Sequence, residues 1–266
     1  LQQIKVFSMA DKIRISRRRN YREQLRLYLN LTKRLNAKLK KLFRQASRKA
    51  STKYAQGMFV DDIFMTEYAD DLYKILANQY RTVITQSAKR ITEQRFKKAD
   101  DEVNTIIEAY IITHTATEVT RISETTRKLL SATILKGIKD GDSIEDISKS
   151  IRKSNAFSEN RATLIARTET HGAMNAGNMA ITKTLALSEP VKEWNSAMDD
   201  RSRTWHKNMD RRVKPIDEPF IVTTPTKNGP IDYRMQYTGD SNGGAANVCN
   251  CRCFTSYYDK DDEVIA

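Results

Sequence analysis

Residues 21–42 read YREQLRLYLNLTKRLNAKLKKL, and two interleaved spacings run through them. Tyr21, Tyr28, Leu35 and Leu42 recur every seven residues, while Leu25, Thr32 and Leu39 repeat that interval four residues later. Such positions share one stripe of an α-helix, and the residues between them here are largely charged. The stretch predicts a long helix with one sticky seam. Three heptads, with Thr32 in the seam, are too few for a free-standing coiled coil. The seam is therefore expected to pack on the body of the protein or on a neighbouring subunit.

Charge is concentrated around that seam. The 266-residue chain carries a formal +13, yet residues 1–60 hold 17 basic and 2 acidic side chains, against 29 and 31 in the remainder. The densest run is Arg14, Arg17, Arg18, Arg19, Arg22 and Arg26, followed by Lys33, Arg34, Lys38, Lys40, Lys41 and Arg44. A cationic front end of this kind favours a polyanion: nucleic acid, an anionic membrane surface or an acidic protein. The bland alternative is a solvated helix face. Double-stranded DNA held through its phosphates is the first expectation, without base readout, because no DNA-reading motif is present. No stretch approaches the roughly 20 apolar residues of a membrane span, and no signal-peptide block opens the chain. The expectation is a soluble protein made in a cytoplasm, with no membrane partner.

Beyond residue 57, apolar stripes predict helices over about 61–96, over 103–138 despite their β-branched residues, and from Ser158 to about Leu187. Gly141 reads as a stop; Ser143 with Asp146 reads as a new start, with Ile144 and Ile147 turned inward. All five prolines, both tryptophans and all three cysteines lie beyond residue 189. Extended runs are expected at 220–223, 233–237 and 253–258, with turns at Asn228-Gly229 and Asn242-Gly243-Gly244. The fold class is thus mainly α with a small C-terminal α+β module. Its expected parts are a basic helical arm (1–57), a helical body (58–157) and a Cys-rich closing module (158–266).

Phosphate-cradling, dinucleotide, zinc-protease and serine-hydrolase signatures are all missing, which lowers the odds of the common enzyme classes. Two polar clusters remain. Arg167-Thr168-Glu169-Thr170-His171 reads either as a buried polar network or as an exposed helix face. The second cluster is Trp194, Asp199, Arg201, Ser202, Arg203 and His206, joined at a distance by Cys249, Cys251, Arg252 and Cys253. Two of the cysteines with His206 and an acid such as Asp199 suit a structural zinc. Reduced buried thiols are the competing reading, and a disulfide framework is disfavoured by the odd cysteine count. His114 reads as structural.

These clusters resemble the phage Mu F-like head morphogenesis family. Phe157-Ser158, Arg161-Ala162, Ile165-Ala166-Arg167-Thr168-Glu169-Thr170 and Asn175-Ala176-Gly177 resemble its opening helix. Lys192-Glu193-Trp194, Asp199-Asp200-Arg201-Ser202-Arg203 and His206 are similar to its middle element, and Asn250-Cys251-Arg252-Cys253 to its close. The likeness covers about residues 145–258. Val248 and Cys249 stand where the family usually has His-Pro, and Arg211 where a glycine is common. The resemblance implies a minor head protein of a tailed phage or prophage. Such a protein is found in the virion in multiple copies and associates with the portal or with the inner face of the major capsid protein. It assists head assembly, genome packaging and delivery, and is present in the host cytoplasm during assembly. It implies no catalytic residues. The alternatives kept beside it are a metal-assisted nuclease or transferase-like toxin domain using Asp199, His206 and Glu169, and a basic regulator of host transcription.

Overall fold

The computed structural model describes residues 9–58, 62–95, 100–185 and 187–260, with side chains described for 19–58, 62–91, 101, 103–185 and 187–260. The side chains of Arg14, Arg17 and Arg18 lie outside that set. The architecture is mainly α with short antiparallel strands at the C-terminal end, as the sequence predicts. Helix α1 runs Met9–Ala55, α2 Asp62–Arg95 and α3 Asp100–Tyr110; a π-helical turn, Ile111–Thr115, then leads into α4, Ala116–Asp140. Gly141 ends α4 at φ 75°, a left-handed cap whose N–H bonds back to Gly137 and Ile138. Ser143 opens α5 (Ile144–Lys153) by accepting from the Asp146 N–H at 3.1 Å. Ile147 and Ile151 face inward, but Ile144, the first residue of the helix, is 51% exposed. The inward face of α5 thus begins one turn later than the pattern predicts. A 3-10 turn, Asn155–Phe157, precedes α6, Glu159–Thr184.

The chain packs as two compact units, and α1, α2, α3 and α6 each lend a part to both. Packing divides the chain near 30, 82, 106 and 169.

The helical unit comprises residues 31–82 and 107–169. Leu31, Leu35, Leu39, Leu42 and Phe43 are all buried, so here the α1 seam packs on the body. Phe43 meets Tyr68 of α2 at 6.4 Å and Phe157 at 6.1 Å between ring centroids. Ser51 Oγ lies 2.8 Å from Ser148 Oγ of α5, and Ser47 Oγ donates to the Arg152 carbonyl. Arg161 ties the start of α6 to α4, donating to the Ile122 carbonyl (2.9 Å) and Thr126 Oγ1 (3.0 Å).

The second unit takes in the described residues up to Asn30, those of 83–106, and those from Thr170 onward. Strand β1 (Pro190–Asn195) lies between β2 (Val213–Pro215) and β5 (Phe254–Asp259), antiparallel to both. Strands β3 (Phe220–Thr226) and β4 (Gly229–Met235) form a hairpin around Lys227-Asn228. A short α7 (Thr204–Lys207) lies between β1 and β2, and a 3-10 turn (Ser241–Gly243) and α8 (Gly244–Val248) lie between β4 and β5. Three extended runs predicted by sequence fall on β3, β4 and β5, although β4 starts earlier and ends two residues sooner. Asn175 of α6 accepts from the Thr255 N–H of β5 at 3.0 Å, and Tyr21 and Tyr28 of α1 present ring edges to Phe254. Gly177 lets α2 come close: a Cβ there would stand 3.1 Å from Ile84 Cγ1.

Candidate functional site

The basic face comes first. On α1 within the helical unit, Lys33, Arg34, Lys38, Lys41 and Arg44 are exposed, while Leu31, Leu35, Leu39 and Leu42 are buried. Helical spacing therefore sends the leucines inward and the cations outward. Lys40 is the exception: half-buried, it pairs with Glu159 of α6 at 2.6 Å. In the other unit Arg19, Arg22 and Arg26 are exposed, with Arg19 paired to Glu23 one turn on at 2.9 Å. These cations are one side of a helix whose other side is core. A detachable arm is not what the packing produces here.

The closing loop gathers most of the motif residues. Arg252 holds Asp199 in a two-pronged ion pair, with Nη2 donating to Oδ1 at 2.6 Å and Nη1 to Oδ2. Asp199 also accepts from the Arg201 N–H and from Ser202 Oγ, each at 3.0 Å. The guanidinium, chiefly, holds the Asp199 carboxyl down to about 2. Arg203 Nη2 donates to the Cys249 carbonyl at 2.7 Å. The Arg201 side chain itself is exposed. Trp194 is fully buried in a core with Phe220, Val222, Met235, Cys251 and Cys253, its ring edge-on to His206 at 5.3 Å.

Asn250 marks where Cys249 parts from the other two cysteines. It sits at φ 59°, the left-handed region that Asn tolerates better than most residues. Residues 249–253 are not a strand, so the shared side that Cys249, Cys251 and Cys253 would occupy in one is lost between Cys249 and Cys251. Cys251 Sγ and Cys253 Sγ lie 3.6 and 3.5 Å from His206 Nδ1. All three side chains are 2% exposed or less. The Cys251–Cys253 contact holds the Cys253 thiol well below the usual thiol range and Cys251 above it. Cys249 stands apart from this cluster and meets Arg203 through its backbone. Asp199, expected beside the thiols, is instead taken up by Arg252. No disulfide joins the three cysteines.

Asn247, which no local pattern in the sequence marks, organises the far side of His206. Its Nδ2 donates to the Gly243 carbonyl and to Thr224 Oγ1, both at 2.8 Å. Its Oδ1 must therefore be the atom that faces Trp205 Nε1 (2.7 Å) and His206 Nε2 (3.1 Å). A carbonyl oxygen only accepts, so His206 carries a proton on Nε2 and turns Nδ1 to the two sulfurs.

The Arg167–His171 run resolves into buried and half-buried members. Thr170 and His171 are fully buried, and His171 Nε2 donates to the Cys253 carbonyl. Arg167, Thr168 and Glu169 are half-buried. Glu169 accepts from the Tyr80 hydroxyl of α2 at 2.5 Å, a partner 89 positions away that spacing does not reveal. Burial, then the nearby Glu118 carboxylate, pushes Glu169 up to about 7. His114 stacks on Tyr110 at 3.9 Å, whose ring meets Tyr80 edge-on.

Residues 128–256 match the family described as Phage Mu protein F like protein. This segment belongs to that family. The chain is 28% identical over 130 residues to the minor head protein GP7 of Bacillus phage SPP1, a stretch covering 48% of this chain and 39% of that one. It is 27% identical over 125 residues to the NAD(+)–arginine ADP-ribosyltransferase EFV of Enterococcus faecalis, covering 46% of this chain and 24% of the other. The chain thus spans well under half the length of either relative. No solved structure matches it. Among the described residues, no helix is long and apolar enough to cross a membrane. The Mu F-like motif residues can now be given physical roles: Asn175, Trp194, Asp199, Arg203 and Arg252 each hold one part of the second unit to another, Gly177 lets α2 come close, and Asn250 turns the closing loop at a left-handed φ.

Proposed function

We propose that this protein is a minor head protein of a tailed phage or prophage, resident in the virion at the portal or on the inner capsid face. In that role it grips packaged double-stranded DNA non-specifically and assists head assembly and genome packaging or delivery. The observation that carries this reading is the outward row of Lys33, Arg34, Lys38, Lys41 and Arg44 on a helix whose inward face is core, joined to a Mu F-like segment. Cations spaced along one face of a helix neutralise phosphates, and the gain is counterion release. Portal or major capsid protein is the protein partner, met in multiple copies.

The test is retention of linear duplex DNA across a salt series. Engagement of six or more phosphates predicts a loss of about a thousandfold in affinity between roughly 50 and 200 mM salt. Arg34→Glu/Lys38→Glu/Lys41→Glu/Arg44→Glu should lower the log–log slope by about four while circular dichroism stays unchanged. A flat salt dependence assigns the face to an acidic protein surface, and a footprint at one sequence supports the transcription regulator. The nuclease or toxin reading has weaker support: Arg252 engages both oxygens of Asp199, and Asn247 and two thiols occupy both nitrogens of His206. Plasmid DNA incubated with divalent ions should therefore stay intact; cleavage lost in His206→Ala overturns the structural role.

A further inference from the structure

We infer that His206, Cys251 and Cys253 bind one zinc ion, which staples α7 to the closing loop. The three side chains offer ligand atoms all within 4.8 Å of one another, and all three are buried. Spacing is the strongest argument. A tetrahedral zinc with bonds of about 2.3 Å to sulfur and about 2.0 Å to nitrogen sets its sulfur and nitrogen ligands about 3.5 Å apart. The two observed sulfur–nitrogen distances are 3.6 and 3.5 Å.

The donor chemistry agrees with the spacing. Two sulfurs converge on a single imidazole nitrogen. A cation uses all three donors. Nitrogen with two sulfurs is a soft set that selects zinc over hard oxygen-loving ions. The other imidazole nitrogen already donates to Asn247 Oδ1, which is itself fixed by Trp205, Thr224 and Gly243. An outer partner that locks the tautomer and ring plane is the usual support of a ligating histidine. Three protein ligands leave the fourth position to water or to Ser196 Oγ, 3.8 Å from Cys253 Sγ.

Cys253, His206 and Asn247 also stand in the order of a thiol nucleophile, its base and the base's orienting group. Burial argues against that use. The thiol is 2% exposed, it shares the base with a second sulfur, and the surrounding Trp194, Phe220 and Met235 side chains are fully buried.

The experiment uses the full chain, purified from zinc-supplemented medium. Elemental analysis should find about one zinc per chain, and replacement by cobalt should give thiolate charge-transfer and tetrahedral ligand-field bands. Cys249→Ser should keep metal and spectrum. Cys251→Ser and Cys253→Ser should each lose about half the charge-transfer intensity, and Asn247→Ala should weaken zinc binding about 10- to 100-fold. Should a variant fail to fold, the wild-type cobalt spectrum and a chelator-induced fall in melting temperature carry the test alone. The proposal is overturned by a wild type with neither zinc nor a thiolate cobalt spectrum. Metal lost from Cys249→Ser but kept by Cys253→Ser also overturns it, as does rapid alkylation of native Cys253 in excess zinc.

Discussion

Residues 31–43 of α1 and residues 190–259 of the second unit achieve burial by different means. In the first, Leu31, Leu35, Leu39, Leu42 and Phe43 supply volume, and each fully buried apolar side chain contributes roughly 1.5–3 kcal/mol whichever way its atoms point. In the second, hydrogen bonds and ion pairs with defined directions do much of the holding: Asp199 to Arg252, Arg203 to the Cys249 carbonyl, and Asn247 to four neighbours at once. A seam held by volume should forgive a change of chemistry that preserves shape. A set of polar clips should forgive a change of shape better than a change of chemistry. That contrast also explains why the two regions serve different ends, one presenting a smooth charged surface and the other fixing a few side chains.

The most severe test exchanges chemistry at near-constant size. Asn247→Leu leaves the Trp205 and His206 N–H groups and the Gly243 carbonyl without their partner, at roughly 1–3 kcal/mol for each buried group orphaned. A destabilisation of at least about 3 kcal/mol is expected. Leu39→Met, the matching exchange in the seam, should cost less than about 1.5 kcal/mol. Urea unfolding of the two variants beside wild type measures both, and comparable losses dissolve the contrast.

How far each region was readable follows from the same difference. Volume leaves a period in the sequence, so α1, α2, the Gly141 stop and the Ser143 start could be placed from spacing alone. Direction leaves none. Strand β1 carries no periodic signal because Lys192 and Glu193 lie in its fully buried middle. Lys192 Nζ is drawn to the Ile216 carbonyl and Gln236, and Glu193 accepts from the Tyr258 hydroxyl. Burial lowers Lys192 to about 8, and no alternation pattern announces a lysine in such a place. The Cys251–Cys253–His206 cluster is half legible: the residue types suggest a metal, but only the fold, which brings Cys251 and Cys253 and not Cys249 to His206, shows which two thiols meet. The pairing of Glu169 with Tyr80 was not legible at all.

That pairing gives the next effect in size, because it is a polar clip lying inside the helical unit. Glu169 is raised from 4.5 to about 7, so the native state holds its proton more tightly than the unfolded chain does. Its contribution to stability is therefore complete below about pH 4.5 and is lost as pH rises through about 7. The shift corresponds to about 2 kcal/mol once partial exposure is allowed for. Glu169→Gln keeps an oxygen for the Tyr80 hydroxyl but cannot ionise. It should match wild type near pH 4.5 and exceed it by about that amount at pH 8. Equal pH profiles for the two proteins, measured by denaturant titration, would mean that the carboxyl is solvated and that the unit is held by volume throughout.

The smallest effect is a stabilisation at a backbone bend. Arg211 lies at φ 62° in the bend between α7 and β2, its N–H bonded to the Trp194 carbonyl at 2.7 Å. The left-handed conformation costs a residue with a Cβ about 1–2 kcal/mol, and glycine bears none of that strain. Glycine surrenders more backbone freedom on folding, which offsets about 0.5–1 kcal/mol of the gain. Arg211 is exposed, and its Nε lies 3.7 Å from Asp210 Oδ2, a contact worth little at the surface. Arg211→Gly should therefore stabilise the protein by about 0.5 kcal/mol, seen as a small rise in melting temperature with no change in DNA retention. The outcome bears on the contrast because no volume is filled and no core is touched. If Arg211→Gly is neutral or harmful, the bend tolerates a side chain for some reason of packing, and volume matters in the second unit more than its clips imply.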